Sequence, residues 1–593
     1  MQTDRTLALK QLRELMKRDG IDAMIIPSSD PHISEYLPES YRYISWLSGF
    51  TGSAGTLVIT AVFAGLWTDS RYFVQAEAEF KDTEWELVPL TIQGRPEYVD
   101  WLFQRIDADG SIAFDFQVMP LLIAKEIHAK CQAKGIQVKH SDILNEVWTN
   151  RPELPAEKAY CISEDLCGES TADKLSRIRS AIKQAGASHH LISSLDDIAW
   201  VFNIRGADIS YNPVVLAFAL ISLDEVLLFL DDGKFSEADR RKLTASGVHL
   251  KPYSSLQLNL KGLAGSAVLL IDPQRTAKGT MTGLNKSIKI IENTNPSTYF
   301  KAIKNRTELD NILTVMRNDG VALVRFFRWL EKEVPGPGIT EVSAARKLME
   351  LRAQNPNFVS NSFATISAYG PNGALPHYRP NEENPVLLKD YGLYLVDSGG
   401  QYLDGTTDVT RVIPLGRISN EEMLDYTLVL KAMVEGCSTI YPKGTRGYQI
   451  DAITRKPLWD QSRDYGHGTG HGVGFFLNVH EGPHVFNKSN VAIEIEPGMI
   501  TSIEPGLYRP GKYGIRIENL VLSVPYIKSE FGEFYSFETL TLAPIDTRPV
   551  IKGMLEKRHI DWINSYNKNV YTILSPLLTD EERGWLRKKT MEI

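Results

Sequence analysis

Cysteine is scarce in this sequence: Cys131, Cys161, Cys167 and Cys437 are the only four in 593 residues. Their spacing matches no metal knuckle, so neither a thiolate metal site nor a disulfide framework organises the fold, and they read as reduced core or surface thiols. Long apolar runs are missing as well. None approaches the roughly 20 residues that span a bilayer, and the amino-terminal MQTDRTLALKQLRELMKRDG is a charged amphipathic helix without the apolar centre of a signal peptide. There is no long basic run, and the net charge is -8, which argues against a nucleic-acid partner. The expectation is a cytoplasmic enzyme with neither membrane nor nucleic acid as partner. What is present is ordinary for a globular protein: 43% apolar and 23% charged residues. At about 150 residues per domain, the length suggests three or four domains.

The first half of the chain repeats itself. A helix over Leu7 to Arg18, Gly20, a strand over Ala23 to Pro27, YRYISWLSGF with Trp46, and strands Gly55 to Thr60 and Ala64 to Thr68 come first. The same order returns as a helix over Leu175 to Gln184, Gly186, a strand over His190 to Ser193, LDDIAWVFNIRG with Trp200, and strands Val214 to Ile221 and Glu225 to Leu230. Strands alternating with helical stretches such as Met119 to Lys134 point to an α/β class for each copy. Neither copy carries a glycine-rich phosphate fingerprint or a cluster of titratable residues. Asp69-Ser-Arg71-Tyr72 is the most polar strand end; it is either structural or a substrate contact. Asn150-Arg-Pro-Glu-Leu-Pro155 reads as a linker, and Asn293 to Ser297 with the basic run Lys301 to Arg306 marks a second joint. Thr307 is placed to cap a long helix with Leu309, Ile312, Met316 and Leu323 on one stripe. Domains are therefore expected over 1–152, 153–302 and 303–593.

The third of these holds the chemistry. Leu393 to Val396 is an apolar β-prone run ended by Asp397; Ser-Gly-Gly is expected to turn the chain, and Thr406 to Ile413 to return, placing Asp397 opposite Asp408. Met499 to Ile503 leads into Glu504, two Pro-Gly pairs form a loop, and Ile515 to Leu522 returns with Arg516 and Glu518 on one face. Between the two hairpins lies Gly-His-Gly-Thr-Gly-His-Gly, with His467 and His471. A carboxylate in an apolar run is unfavourable unless paired or bound to metal. Four of them within about 4 Å repel by roughly 4 kcal/mol per pair at an effective dielectric near 20. Two divalent cations would cancel that charge; oxygen donors plus one imidazole suit manganese or cobalt, with zinc possible. Taken singly, an Asp at a strand end is a turn or cap residue and Glu-Pro-Gly is a turn. His-Gly-Thr-Gly-His has the i, i+4 spacing of a zinc-protease helix, but glycines oppose a helix there. The set, in this order, carries the reading.

Asp397 to Arg411, Gly466 to Gly474, Ser502 to Gly506 and Gly514 to Asn519 resemble the pita-bread metallopeptidases: methionine aminopeptidase, prolidase, aminopeptidase P and the metal-free creatinase. The resemblance implies five ligands to two metal ions, Asp397, Asp408, His471, Glu504 and Glu518, with Asp408 and Glu518 bridging and a shared hydroxide as nucleophile. It implies that Glu504 shuttles the proton. It further implies that His377 and His480 act in catalysis and bind substrate, and that His467 and Arg516 line the substrate pocket. Two creatinase-like α/β domains ahead of a pita-bread α+β catalytic domain resemble the three-domain aminopeptidase P, and the likeness covers essentially the whole chain. The activity this implies is removal of the first residue from peptides with proline second. An Xaa-Pro bond lacks an N–H, so a pocket for the ring, anchored on the free amine, must replace the usual grip. A prolidase restricted to dipeptides and a non-catalytic pita-bread binding protein are the alternatives. The aromatic segment from Leu555 to Ile593 is expected to pack on the catalytic domain or across a homodimer.

Overall fold

Short β-branched runs between amphipathic helices build two sheets of one design. The computed structural model describes residues 2–92, 95–334, 336 and 338–593; Met1, the first residue of the expected amino-terminal helix, lies outside them. Residues 1–163 with 169–298 form one compact unit, and 164–168 with 299–593 a second.

In the first unit, one sheet runs Glu86–Pro89, Ala64–Thr68, Thr56–Thr60, Ala23–Pro27, Ser111–Phe114, Gln137–His140. The other runs His249–Pro252, Val226–Leu230, Phe218–Ser222, His189–Ile192, Val268–Ile271, Lys289–Glu292. Directions agree as well as order. Ala23–Pro27 is antiparallel to Thr56–Thr60 and parallel to Ser111–Phe114, as His189–Ile192 is to Phe218–Ser222 and Val268–Ile271. A helix leads into each central strand, Gln2–Arg18 and Thr171–Gln184, and the tryptophan markers both fall on short helices, Tyr43–Ser48 and Leu195–Val201. Arg71 forks onto both oxygens of Asp69 at 2.7 Å, and the Tyr72 hydroxyl meets Ser53 Oγ, so this polar stretch finds partners among residues flanking its own and the neighbouring strand. Cys131, Cys167 and Cys437 are buried and Cys161 is half-buried.

The second unit opens on the helix Arg306–Glu333. Its cap is Asn305 rather than Thr307: Asn305 Oδ1 accepts from the Glu308 amide and the Glu308 carboxylate accepts from the Asn305 amide, a reciprocal pair that threonine two residues later cannot make. The basic run before it is not a solvated joint, since Lys301 and Lys304 are buried. The helix Asn420–Cys437 is buried on most of its surface, with Val429, Leu430, Met433 and Val434 in the core, and the site-bearing strands pack around it. Those beside His471, Glu504 and Glu518 form the sheet Tyr441–Pro442, Gly532–Thr539, Asn519–Ser529, Ile500–Ile503, Gly470–Gly472, Glu481–Phe486, while Leu393–Ser398 lies between Ile366–Tyr369 and Val409–Pro414 in another. The carboxy-terminal segment packs on this unit through Ile563, Tyr566 and Leu586, and Trp585 Nε1 donates to Glu331. No helix among the described residues is long and apolar enough to cross a membrane.

Candidate metal centre

Leu393–Ser398 is buried throughout, with Asp397 a charge among Leu393, Leu395 and Val396. Its partner strand is Val409–Pro414, and the register sets Asp397 opposite Thr410. Asp408 lies just outside the paired segment, not across from Asp397 as expected. Nor does Ser-Gly-Gly reverse the chain. Gly400–Tyr402 continues as a strand, pairs with Gly405–Thr406 and Phe358–Asn361, and the turn falls at Leu403 and Asp404. A Cβ on Gly399 would lie 1.9 Å from the Thr407 carbonyl oxygen, so this glycine lets two arms close together where the ribbon bends.

The second ribbon is interrupted in the same manner. Ile503 pairs with Asn519 in one ladder, Gly506 with Arg516 in another, and Glu504 and Glu518 occupy the breaks between them. Pro510-Gly511 is a turn, whereas Pro505-Gly506 marks a change of sheet. Asp408, Glu504 and Glu518 thus all stand where ladder pairing stops and the backbone can redirect a side chain. Their own backbones tie these elements together: the Glu504 amide donates to Thr469 O and the Glu518 amide to Thr410 O. His471 is the middle residue of Gly470–Gly472, wedged between Glu481–Phe486 and Ile500–Ile503. A Cβ on Gly470 would sit 1.7 Å from Ser502 O, so the glycines around His471 serve close strand approach rather than a turn.

These elements bring the side chains together. One ligand atom each of Asp408, His471 and Glu518 lies within 4.8 Å of the others. His471 Nε2 stands 3.5 Å from both Asp408 Oδ2 and Glu504 Oε1. Its Nδ1 is 3.0 Å from Gly472 O, which can only accept, so Nδ1 carries a proton and Nε2 is the ring atom turned toward the carboxylates, where it could ligate a metal ion. Asp397 joins through Arg516, whose Nη2 is 2.5 Å from Asp397 Oδ2, and Thr410 Oγ1 donates to Glu518 Oε2 at 2.8 Å.

Four carboxylates here face one guanidinium. Burial, then Glu518, Asp397 and Glu504, push Asp408 well above the usual carboxylate range; burial, Asp397 and Glu504 do the same to Glu518. Burial opposes the charge of Arg516, yet Tyr508, Asp397 and Glu504 around it raise its pKa further. Asp397 Oδ1 and Glu518 Oε1 are buried and accept no hydrogen bond. Unsatisfied carboxylate oxygens, an excess of negative charge and one imidazole nitrogen directed inward fit hard or borderline divalent cations.

The other expected residues surround this group. His480 places its ring 4.3 Å from that of His471, edge to face. His377 is half-buried in the loop after Gly370–Ala374, tied to the centre because Arg516 Nη2 donates to its neighbour Pro376 O at 3.2 Å. His467 donates from Nδ1 to Gly468 O at 2.6 Å, which leaves Nε2 to accept from Tyr508 Oη at 2.8 Å. Arg516 Nη1 donates to the same hydroxyl at 2.6 Å. With Asp397, Pro376 and Tyr508 as partners, the 3% exposed Arg516 acts as a strut between loops more than as a group turned to a substrate. Tyr508 is the residue sequence reading overlooked. Its signal was alternation: Glu504, Gly506 and Tyr508 fall on every second position. His484, by contrast, is a core histidine whose Nε2 donates to Ile500 O, with burial pushing its pKa down to about 4.

Comparison with known proteins follows the same layout. Residues 310–524 match the metallopeptidase family M24 and 533–593 the C-terminal region of that peptidase family. Residues 9–147 and 150–308 each match a creatinase/prolidase N-terminal domain. A Neurospora crassa protein described as "Probable Xaa-Pro aminopeptidase P" is 35% identical over 100% of this chain and 89% of its own length. A Laccaria bicolor protein of the same description is 37% identical over 98% of this chain and 93% of its own. Among solved structures, the X-prolyl aminopeptidase of Caenorhabditis elegans, described as a cytosolic enzyme with a di-nuclear active site, superposes with a TM-score of 0.94. It is 33% identical, over 99% of this chain and 100% of the other.

Proposed function

This chain belongs to metallopeptidase family M24, and from that premise we propose that it is an Xaa-Pro aminopeptidase. It removes the amino-terminal residue of peptides whose second residue is proline. The observation that carries the reading is the meeting of Asp408, His471 and Glu518 within 4.8 Å, with Glu504 and Asp397 joined to them through His471 and Arg516.

Asp397, Asp408, His471, Glu504 and Glu518 would hold two divalent cations, manganese being our first choice for a site dominated by carboxylate oxygens. When bound, such a pair supplies Lewis acidity, lowering the pKa of a water toward neutrality and polarising the scissile carbonyl. The Glu504 carboxylate takes a proton from the attacking water and returns it to the proline nitrogen as the C–N bond breaks. His480 donates to the oxygen on which negative charge develops, and His377 holds the scissile region from its loop. His467, oriented by Tyr508, lines the pocket beside them. In the full-length enzyme, Glu504→Gln should stay folded and lose turnover of an Xaa-Pro tripeptide; near-normal turnover would remove Glu504 from this role. Cleavage of Arg-Pro-Pro separates an aminopeptidase from a dipeptidase, which would accept Ala-Pro alone.

We also infer a homodimer, to which the exposed Trp459, Ile527 and Phe531 of the catalytic unit offer apolar surface; a single-chain mass in light scattering would overturn it. We infer a cytoplasmic location because the Caenorhabditis elegans relative is described as a cytosolic enzyme; cell fractionation checks it.

A further inference from the structure

Lys301 and Lys304 stand apart from the reaction just described, yet they are 1% and 4% exposed. Both close on a third buried charge. Lys304 Nζ donates to Glu481 Oε1 at 2.5 Å, and Lys301 Nζ is 3.4 Å from Glu481 Oε2. Lys304 Nζ also donates to Lys301 O at 2.6 Å, which fixes the two lysines to each other. The same short segment is stitched to the sheet, for the Lys304 amide donates to Gly498 O at 2.9 Å and Ile303 bridges Met499.

What this segment grips is the base of the site. Glu481 directly follows His480 and pairs in register with Gly472, the neighbour of His471. Met499 precedes Ile500–Ile503, the strand that ends at Glu504. Four residues therefore hold the strands that present His480, His471 and Glu504. Stability alone does not account for three buried ions, because apolar side chains of similar volume would fill the space without their desolvation penalty. Position does account for them. His480 is the residue immediately before the strand that Glu481 opens, so clamping Glu481 fixes the backbone from which His480 reaches His471.

We propose that Lys301, Glu481 and Lys304 form a buried positioning triad that acts through His480. The inference rests on the role given to His480 in the proposed reaction. The test uses the full-length, metal-loaded enzyme and an Xaa-Pro tripeptide. Glu481→Gln and the triple substitution Lys301→Met/Glu481→Met/Lys304→Met are each made alone and with His480→Ala. Metal content and thermal unfolding are measured on every variant. The triple substitution leaves no lone ion buried, and it carries the test should Glu481→Gln fail to fold.

The expected result is a fall in kcat on the order of 10-fold with KM and metal content unchanged. With His480→Ala already present, the same substitutions should lower kcat by no more than about twofold further. Equal losses in both backgrounds would overturn the proposal, as would lost thermal stability with kcat per metal-loaded enzyme unchanged. Full activity of His480→Ala by itself would instead sink the role of His480, and the triad's purpose with it.

Discussion

At the scale of single residues, the centre is governed by charge that protein groups alone do not balance. Asp408 and Glu518 have folded pKa values raised well above the carboxylate range by burial and by neighbouring carboxylates, Glu518, Asp397 and Glu504 for Asp408 and Asp397 and Glu504 for Glu518. A raised value means the metal-free fold binds more protons than the unfolded chain, so its stability falls as pH rises from about 4 toward the folded pKa. Bound cations should remove that dependence and expel the protons. Adding manganese to chelator-stripped protein at pH 7 in weak buffer should release about one proton per chain or more; no release would show the carboxylates already ionised. Tyr508 is coupled to the same centre, its phenol pushed up to about 12 by burial against the opposing charge of Arg516. Tyr508→Phe takes a partner from Arg516 Nη1 and from His467 Nε2, and should lower unfolding free energy by about 1–3 kcal/mol. An unchanged thermal midpoint would mean the hydroxyl is not their partner. The carboxylates and His471 were legible from residue type and order. Tyr508 was not, because a tyrosine in a strand is ordinarily core, and only the meeting of its hairpin, which carries Arg516, with the segment that carries His467 gives its hydroxyl two partners.

At the scale of elements, periodicity located the strands but not their interruptions. Leu393 to Val396 and Met499 to Ile503 read as strands because their residues are apolar and β-prone, and the structure keeps strands there. The breaks at Asp408, Glu504 and Glu518 arise from pairing with strands distant in sequence, which local pattern does not report. Gly470 shows the consequence. Gly470→Ala would press a methyl group against Ser502 O, and it should destabilise the catalytic unit by about 3 kcal/mol or more. Retained thermal stability together with retained metal affinity would show that the strand spacing tolerates a Cβ. In the other unit, His190 lies fully buried on its strand, donating from Nδ1 to Leu270 O at 3.0 Å, and burial lowers its pKa to about 4. The folded state refuses a proton that the unfolded chain accepts near 6.5, so stability falls as pH drops through that value and levels off below about 4, by about 3 kcal/mol in all. His190→Asn keeps a donor without titrating. The difference between wild type and variant in urea unfolding, followed from pH 7 to pH 4, should shrink or reverse by that amount; parallel curves would exclude His190.

At the scale of the whole molecule, duplication is the organising fact of the first unit, where two sheets share strand order and direction. We propose three domains, 1–152, 153–302 and 303–593; limited proteolysis should cut first near residues 150–155, and a first cut inside a sheet would refute the plan. By itself the sequence determined the α/β and α+β classes, the repeated template and the set of metal-seeking side chains, because hydrophobic period and residue chemistry are local properties. It did not determine that Asp397 faces Thr410, that the chain turns at Leu403 and Asp404, or that Lys301 and Lys304 are buried against Glu481. Register, ladder breaks and ion burial depend on which surfaces meet across more than a hundred residues, and only tertiary packing brings those surfaces together.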